Sequence, residues 1–176
     1  MDEIEKLKNI THLILDVDGT LTDSGITYDE NGNELKKFST RDYAGVFAAH
    51  YIGVKVLIIT GRKCAATERR AREMKIDELH QEVKNKRVFI ADYMKKNNLK
   101  IENLAYIGDD LNDYGAMKSF AGFKACPADA CPEVRSIADY VSSFKGGTGV
   151  VQDVMRYVLN QLGKWDEFIE AEVEAG

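Results

Sequence analysis

The chain has 176 residues, 44% of them hydrophobic and 30% charged, the composition of one globular domain with a single core spanning residues 1–176. Its 24 Lys plus Arg against 29 Asp plus Glu leave a net charge of −5, which argues against nucleic acid as a partner while leaving room for a local cationic pocket. Three cysteines, an N-terminus too acidic for a signal peptide and no apolar run near the ~20 residues of a membrane span predict a cytoplasmic protein with no membrane partner.

In chain order, "HLILD" (12–16) is a compact apolar run that reads as a buried strand and ends in acid. "GITYDENGNELKKFS" (25–39) has two extended pieces around Asn31-Gly32, a hairpin signal, and is too polar for core. It is expected to project from the sheet or to pair with a second copy of itself. A helix over Tyr43–Tyr51, stopped near Gly53, precedes the strand "KVLIIT" (55–60). Helical patterns follow over 64–75 and 86–98, then the strand "NLAYIGD" (103–109), a weaker strand "GFKAC" (122–126) and the strand "ADYVS" (138–142). Val150, Val151, Val154, Met155, Val158, Leu159 and Leu162 fall on one face of a helix over 150–162. An acidic tail over 163–176 carries the only tryptophan, Trp165. Strand–helix alternation with near-continuous apolar strands predicts an α/β, Rossmann-like three-layer sandwich with a mostly parallel sheet.

Ligands of such sheets bind at the carboxyl ends of the strands. Asp16 and Asp18 follow the first strand, and Thr60, Gly61 and Arg62 follow the second. Asp109, Asp110, Asn112 and Asp113 follow the third, and Lys86 stands ahead of a helix. Two aspartates one residue apart at the end of a buried strand repel and lose hydration unless something positive lies between them. Asp16 and Asp109 converging from adjacent strands make a hard oxygen site suited to Mg²⁺ and substrate phosphate. A carboxylate can also attack phosphorus, with a second acid moving the protons. Asp110, Asn112 and Asp113 double as caps for a helix starting near residue 112.

"DVDGT", "TGR", the lone Lys86 and "GDDLND", in that order, resemble the haloacid dehalogenase superfamily of phosphatases. The resemblance implies Asp16 as nucleophile, Asp18 as acid/base and carbonyl ligand of the metal, Asp109 as metal ligand, and Thr60 and Lys86 as phosphate binders. It places Asp110, Asn112 and Asp113 behind the metal or on its waters. An acid at position 18 favours a phosphatase or mutase over the superfamily's dehalogenases and pump ATPases. Roughly 37 residues at 23–59 and roughly 23 at 63–85 are too few for a cap domain of about 50 or more.

"DGTLTD", the hairpin, "FSTRD", "ITGR", "NK", "AYIGDDLND" and "KGGTGVVQDV" are similar to the capless sugar-acid phosphatases, above all those acting on 3-deoxy-D-manno-octulosonate 8-phosphate. That likeness implies a homotetramer in which a neighbour serves as lid, with Lys145, Gly146 and Gly147 reaching an adjoining site. Arg62 is the implied partner of the sugar-acid carboxylate. Tyr43 and Gln152 depart from the group's usual Gly and Arg, so a nonulosonate 9-phosphate stays open as substrate. An oligomerisation module, like related domains fused to sugar-nucleotide synthetases, is the alternative from another class.

Overall fold

The computed structural model describes residues 3–175; Met1, Asp2 and Gly176, the outermost residues of the expected domain, lie outside them. Six parallel strands form the main sheet: β1 (His12–Leu15), β4 (Lys55–Ile59), β5 (Glu78–His80), β6 (Leu104–Ile107), β7 (Phe123–Cys126) and β8 (Tyr140–Val141). Their spatial order is β5-β4-β1-β6-β7-β8. The chain runs outward from β1 to β4 and β5, then returns to lay β6 on the other side of β1. That reversal opens a crevice between the carboxyl ends of β1 and β6.

Side chains of these strands alternate between two cores, one on each face of the sheet, where the length alone suggested a single one, because the pleat points successive residues to opposite faces. Leu13, Leu15, Val56, Ile58, Ala105 and Ile107 face one side, where α2 (Arg41–Tyr51), α3 (Ala65–Glu73) and α7 (Val150–Gln161) pack. Ile14, Ile59, Leu104 and Tyr106 face the other, against α4 (Lys86–Lys96), α5 (Leu111–Phe120) and α6 (Pro132–Ile137). The apolar face read from the sequence for α7 is the buried one, from Val150 to Leu159.

The weaker strand at 122–126 is a full member of the sheet. The edge strand β5 escaped sequence reading because "ELH" offers one apolar side chain and all three residues are only half-buried. A short helix, α1 (Glu3–Lys8), also went unread; Lys6 ties it to Asp139 at 2.6 Å. The acidic tail forms α8 (Trp165–Ala175). Its Phe168 is buried against Phe47, Tyr51 and Trp165, with the Arg156 guanidinium 4.9 Å from the Trp165 ring centre. The departure at Tyr43 is absorbed by a stack on Phe47, 6.4 Å between centres.

Strands β2 (Thr27–Tyr28) and β3 (Glu34–Leu35) form the expected antiparallel hairpin. Asp29 organises its turn, accepting from the backbone N–H groups of Asn31 and Asn33. The base of the hairpin does not stand clear of the sheet: Lys36 and Glu34 lie at the mouth of the crevice.

Candidate active site at the carboxyl ends of β1, β4 and β6

Asp16 leaves β1 with its backbone N–H donating to Ile107 O of β6, so the two strand ends advance together. Carboxylate oxygens of Asp16, Asp109 and Asp113 lie within 4.8 Å of one another. Gly19 makes this approach sterically allowable. Its φ is 101°, and a Cβ there would fall 1.9 Å from Asp109 Oδ2. Thr20 Oγ1 donates to Asp109 Oδ1 at 3.1 Å.

Lys86 is the first residue of α4 rather than a residue ahead of it, and only 3% of it is exposed. Asn85 caps the helix by accepting from Val88 N. That geometry aims Lys86 Nζ inward, 2.5 Å from Asp16 Oδ1 and 2.6 Å from Asp113 Oδ1. Asp113 also accepts from Tyr106 OH at 2.7 Å and from the backbone N–H of Asp109 at 3.1 Å. It is fully buried, so it braces the cluster from behind and does not meet solvent.

One lysine cannot neutralise three carboxylates. Burial first, then the Asp113 charge, pushes the Asp16 carboxyl up to about 7. Burial, then Asp16 and Asp113, pushes Asp109 up to about 8. The cluster is short of positive charge, and all its donors are hard oxygens.

A cleft of about 240 Å³ opens above it, lined among others by Asp16, Asp18, Thr60, Gly61, Arg62 and Asp109. Thr60 is buried at the end of β4, its hydroxyl accepting from Arg62 N at 3.4 Å. Asp110 and Asn112 line the cleft rim. Asp110 caps α5, accepting from Leu111 N at 2.8 Å.

Two further residues of the mouth come from the hairpin, where a lysine-rich polar run gave no sign of them. Lys36, its side chain 1% exposed, pairs with Asp18 Oδ1 and with Glu34 at 2.7 Å. Glu34 is gripped by Arg62 through Nη2 at 2.6 Å and Nε at 3.3 Å. The Arg62 guanidinium holds the Glu34 carboxyl down at about 2. Ser24 also lines the cleft, with φ at 65°. Thr20 and Tyr106 were equally unread, because only the fold brings them to Asp109 and Asp113. Lys145 is exposed, and Gly146 and Gly147 lie against the Gly19–Asp23 turn of their own chain.

A family profile of haloacid dehalogenase-like hydrolases matches residues 78–153. The chain is 42% identical to the 3-deoxy-D-manno-octulosonate 8-phosphate phosphatase KdsC of Escherichia coli K12, over 94% of this chain and 88% of that protein. A crystal structure of the corresponding phosphatase from Moraxella catarrhalis, in complex with magnesium, phosphate and KDO, superposes with a TM-score of 0.90 at 36% identity, covering 97% of this chain and 98% of that one. The cobalt-bound Haemophilus influenzae phosphatase superposes at 0.87 with 33% identity, over 97% and 99%. A capless parallel sheet, an acidic cluster at its switch point and near full-length likeness to these phosphatases lead to one family: the chain belongs to the haloacid dehalogenase-like hydrolases, among the phosphoric monoester hydrolases of the 3-deoxy-D-manno-octulosonate 8-phosphate phosphatase group.

Proposed function

We propose that this enzyme hydrolyses 3-deoxy-D-manno-octulosonate 8-phosphate to the free sugar acid and inorganic phosphate. The single observation that carries the site assignment is the convergence of Asp16 and Asp109 at the β1/β6 crevice, with Lys86 between Asp16 and Asp113. Its cluster of carboxylate oxygens, left with more negative charge than Lys86 offsets, fits a small hard dication. Asp16, Asp109 and the backbone carbonyl of Asp18 would hold Mg²⁺. When bound, the ion draws charge from the phosphoryl oxygens and offsets the repulsion between substrate and acids.

Asp16 attacks phosphorus, forming an O–P bond as the bond from phosphorus to the sugar oxygen breaks. Asp18 gives the departing oxygen its proton. It then takes a proton from the water that attacks the aspartyl-phosphate, freeing phosphate and restoring Asp16. Lys86 holds Asp16 in line, and with Thr60 and the backbone at Gly61 it spreads the charge of the transferring group. Arg62, held by Glu34 through Nη2 and Nε, exchanges that partner for the sugar-acid carboxylate. Asp110, Asn112 and Asp113 support these groups from the α5 end.

The working form is a homotetramer with hairpins at the contact. Ile26, Tyr28 and Leu35 are 53%, 58% and 50% exposed, apolar side chains that a neighbouring copy would cover. A neighbour there also limits water at an otherwise open cleft. The enzyme works in the cytoplasm, which suits the free thiols of Cys64, Cys126 and Cys131.

The test is phosphate release with Mg²⁺ across eight-carbon and nine-carbon ulosonate phosphates and plain sugar phosphates. The eight-carbon substrate is expected to give the highest kcat/KM, and Asp16→Asn to abolish turnover. Full activity in Asp16→Asn would overturn the mechanism.

A further inference from the structure

Lys145–Gly147 was expected to serve a neighbouring subunit. In this chain the loop is built into the site of its own subunit. Gly147 N donates to Thr20 O at 3.1 Å. Gly146 N donates to Asp129 Oδ1 at 3.0 Å, in the β7–α6 loop. That loop is fastened in turn to the metal-site acid, because Cys131 N donates to Asp109 O at 2.8 Å.

The contact between the glycine loop and the turn after Asp18 is backbone on backbone. A Cβ on Gly146 would fall 2.0 Å from Gly19 O and 2.7 Å from Thr22 O. Gly19 stands directly against the Asp109 carboxylate. Gly146, Gly19 and Asp109 are therefore three layers with no side chain between them. The far end of the loop is anchored by α7, whose Val151 N donates to Asp42 Oδ1 of α2 at 2.9 Å.

We propose that the Gly146–Gly147 loop is a positioning element acting in cis: it seats the Gly19–Asp23 turn against Asp109 and thereby sets the separation of Asp16 and Asp109. The inference rests on the assignment of those two acids as the reacting site. A single methyl group at Gly146 must displace the turn, because neither backbone oxygen it meets belongs to a flexible side chain. Metal sites tolerate only a few tenths of an ångström in ligand distance.

Two measurements test this. Calorimetric titration of Gly146→Ala with Mg²⁺ is expected to show affinity lowered by about tenfold or more. Asp129→Ala, which removes the acceptor of Gly146 N, repeats the measurement with a milder change should Gly146→Ala fold poorly. Unchanged Mg²⁺ affinity in the folded variants overturns the proposal. Second, Gly146→Ala and Asp16→Asn chains, differently tagged, are co-expressed and their mixed assemblies purified. A loop acting in cis leaves each mixed assembly no more active than its Gly146→Ala chains alone. A loop acting in trans restores activity, because the Asp16→Asn chain supplies an intact loop to a neighbour with an intact nucleophile; that result overturns the proposal. A chain that sediments as a monomer and turns over supports action in cis. Activity in Asp16→Asn assayed by itself would instead remove the site assignment, and the brace with it.

Discussion

Among the described residues, Lys36 is the one cation in an ion pair with Asp18. In the proposed mechanism Asp18 gives its proton to the leaving oxygen, and Lys36, its side chain buried, is the cation paired with it. Lys36→Ala is expected to lower kcat on the order of 10- to 100-fold while changing KM less, as misplacement of a proton donor does. Steady-state kinetics on the sugar-acid phosphate check the split; a rise in KM alone would make Lys36 a substrate contact instead. Asp16, Thr60 and Asp109 were legible in the sequence because each closes a short apolar run, and Asp18 because it follows Asp16 by two residues. Lys36 was not, since it sits among Glu34, Lys37 and other polar residues and meets Asp18 only through the fold of the hairpin.

At the scale of elements, α2 and α7 pack through the apolar core, and one buried acid joins them. Asp42 is 1% exposed, and its Oδ1 accepts from Val151 N at the start of α7. Among the described residues its Oδ2 has no hydrogen-bond partner. Arg70 of α3 is the charged group facing it. Burial pushes its carboxyl up to about 6 from an ordinary 3.8, with the Val151 N–H and Arg70 pulling the other way. The folded chain therefore holds this proton to higher pH than the unfolded chain. The contribution of Asp42 is fully present below about pH 4 and is lost as pH rises through about 6. Asp42→Asn keeps the acceptor and removes the charge. It is expected to raise the stability at pH 7.5, by up to about 3 kcal/mol from the two-unit shift, and so the melting temperature, and to change little near pH 4. Thermal melts at the two pH values decide it; equal effects at both would place the cost elsewhere. The helix faces themselves were readable from periodicity, α7 above all. Strand β5 was not, because a three-residue edge strand has no period to read.

For the whole molecule, the order β5-β4-β1-β6-β7-β8 explains why the chemistry collects where it does. That order follows from strand–helix alternation only up to its sense of growth, so the sequence told of a parallel sheet without saying which strands flank β1. The hairpin carries the expected assembly surface. Replacing Tyr28 and Leu35 together by Lys should leave the fold intact, since both are exposed, while dissociating the proposed tetramer in sedimentation velocity. Catalytic efficiency should fall with it if the neighbour closes the cleft; full activity in a dissociated chain would remove the neighbour from the mechanism.

The chain of ion pairs at the cleft mouth has a kinetic consequence. Asp18, Lys36, Glu34 and Arg62 carry two charges of each sign, on a protein whose total is −5. A polyanionic substrate is therefore not drawn in over a distance; it is received by exchanging partners once it arrives. Encounter should gain nothing from a long-range field, so added salt, which screens attraction and repulsion alike, should leave kcat/KM level or raise it slightly. A steep fall in kcat/KM between about 0.01 and 0.15 M ionic strength would instead reveal a steering field from cations outside the cleft mouth.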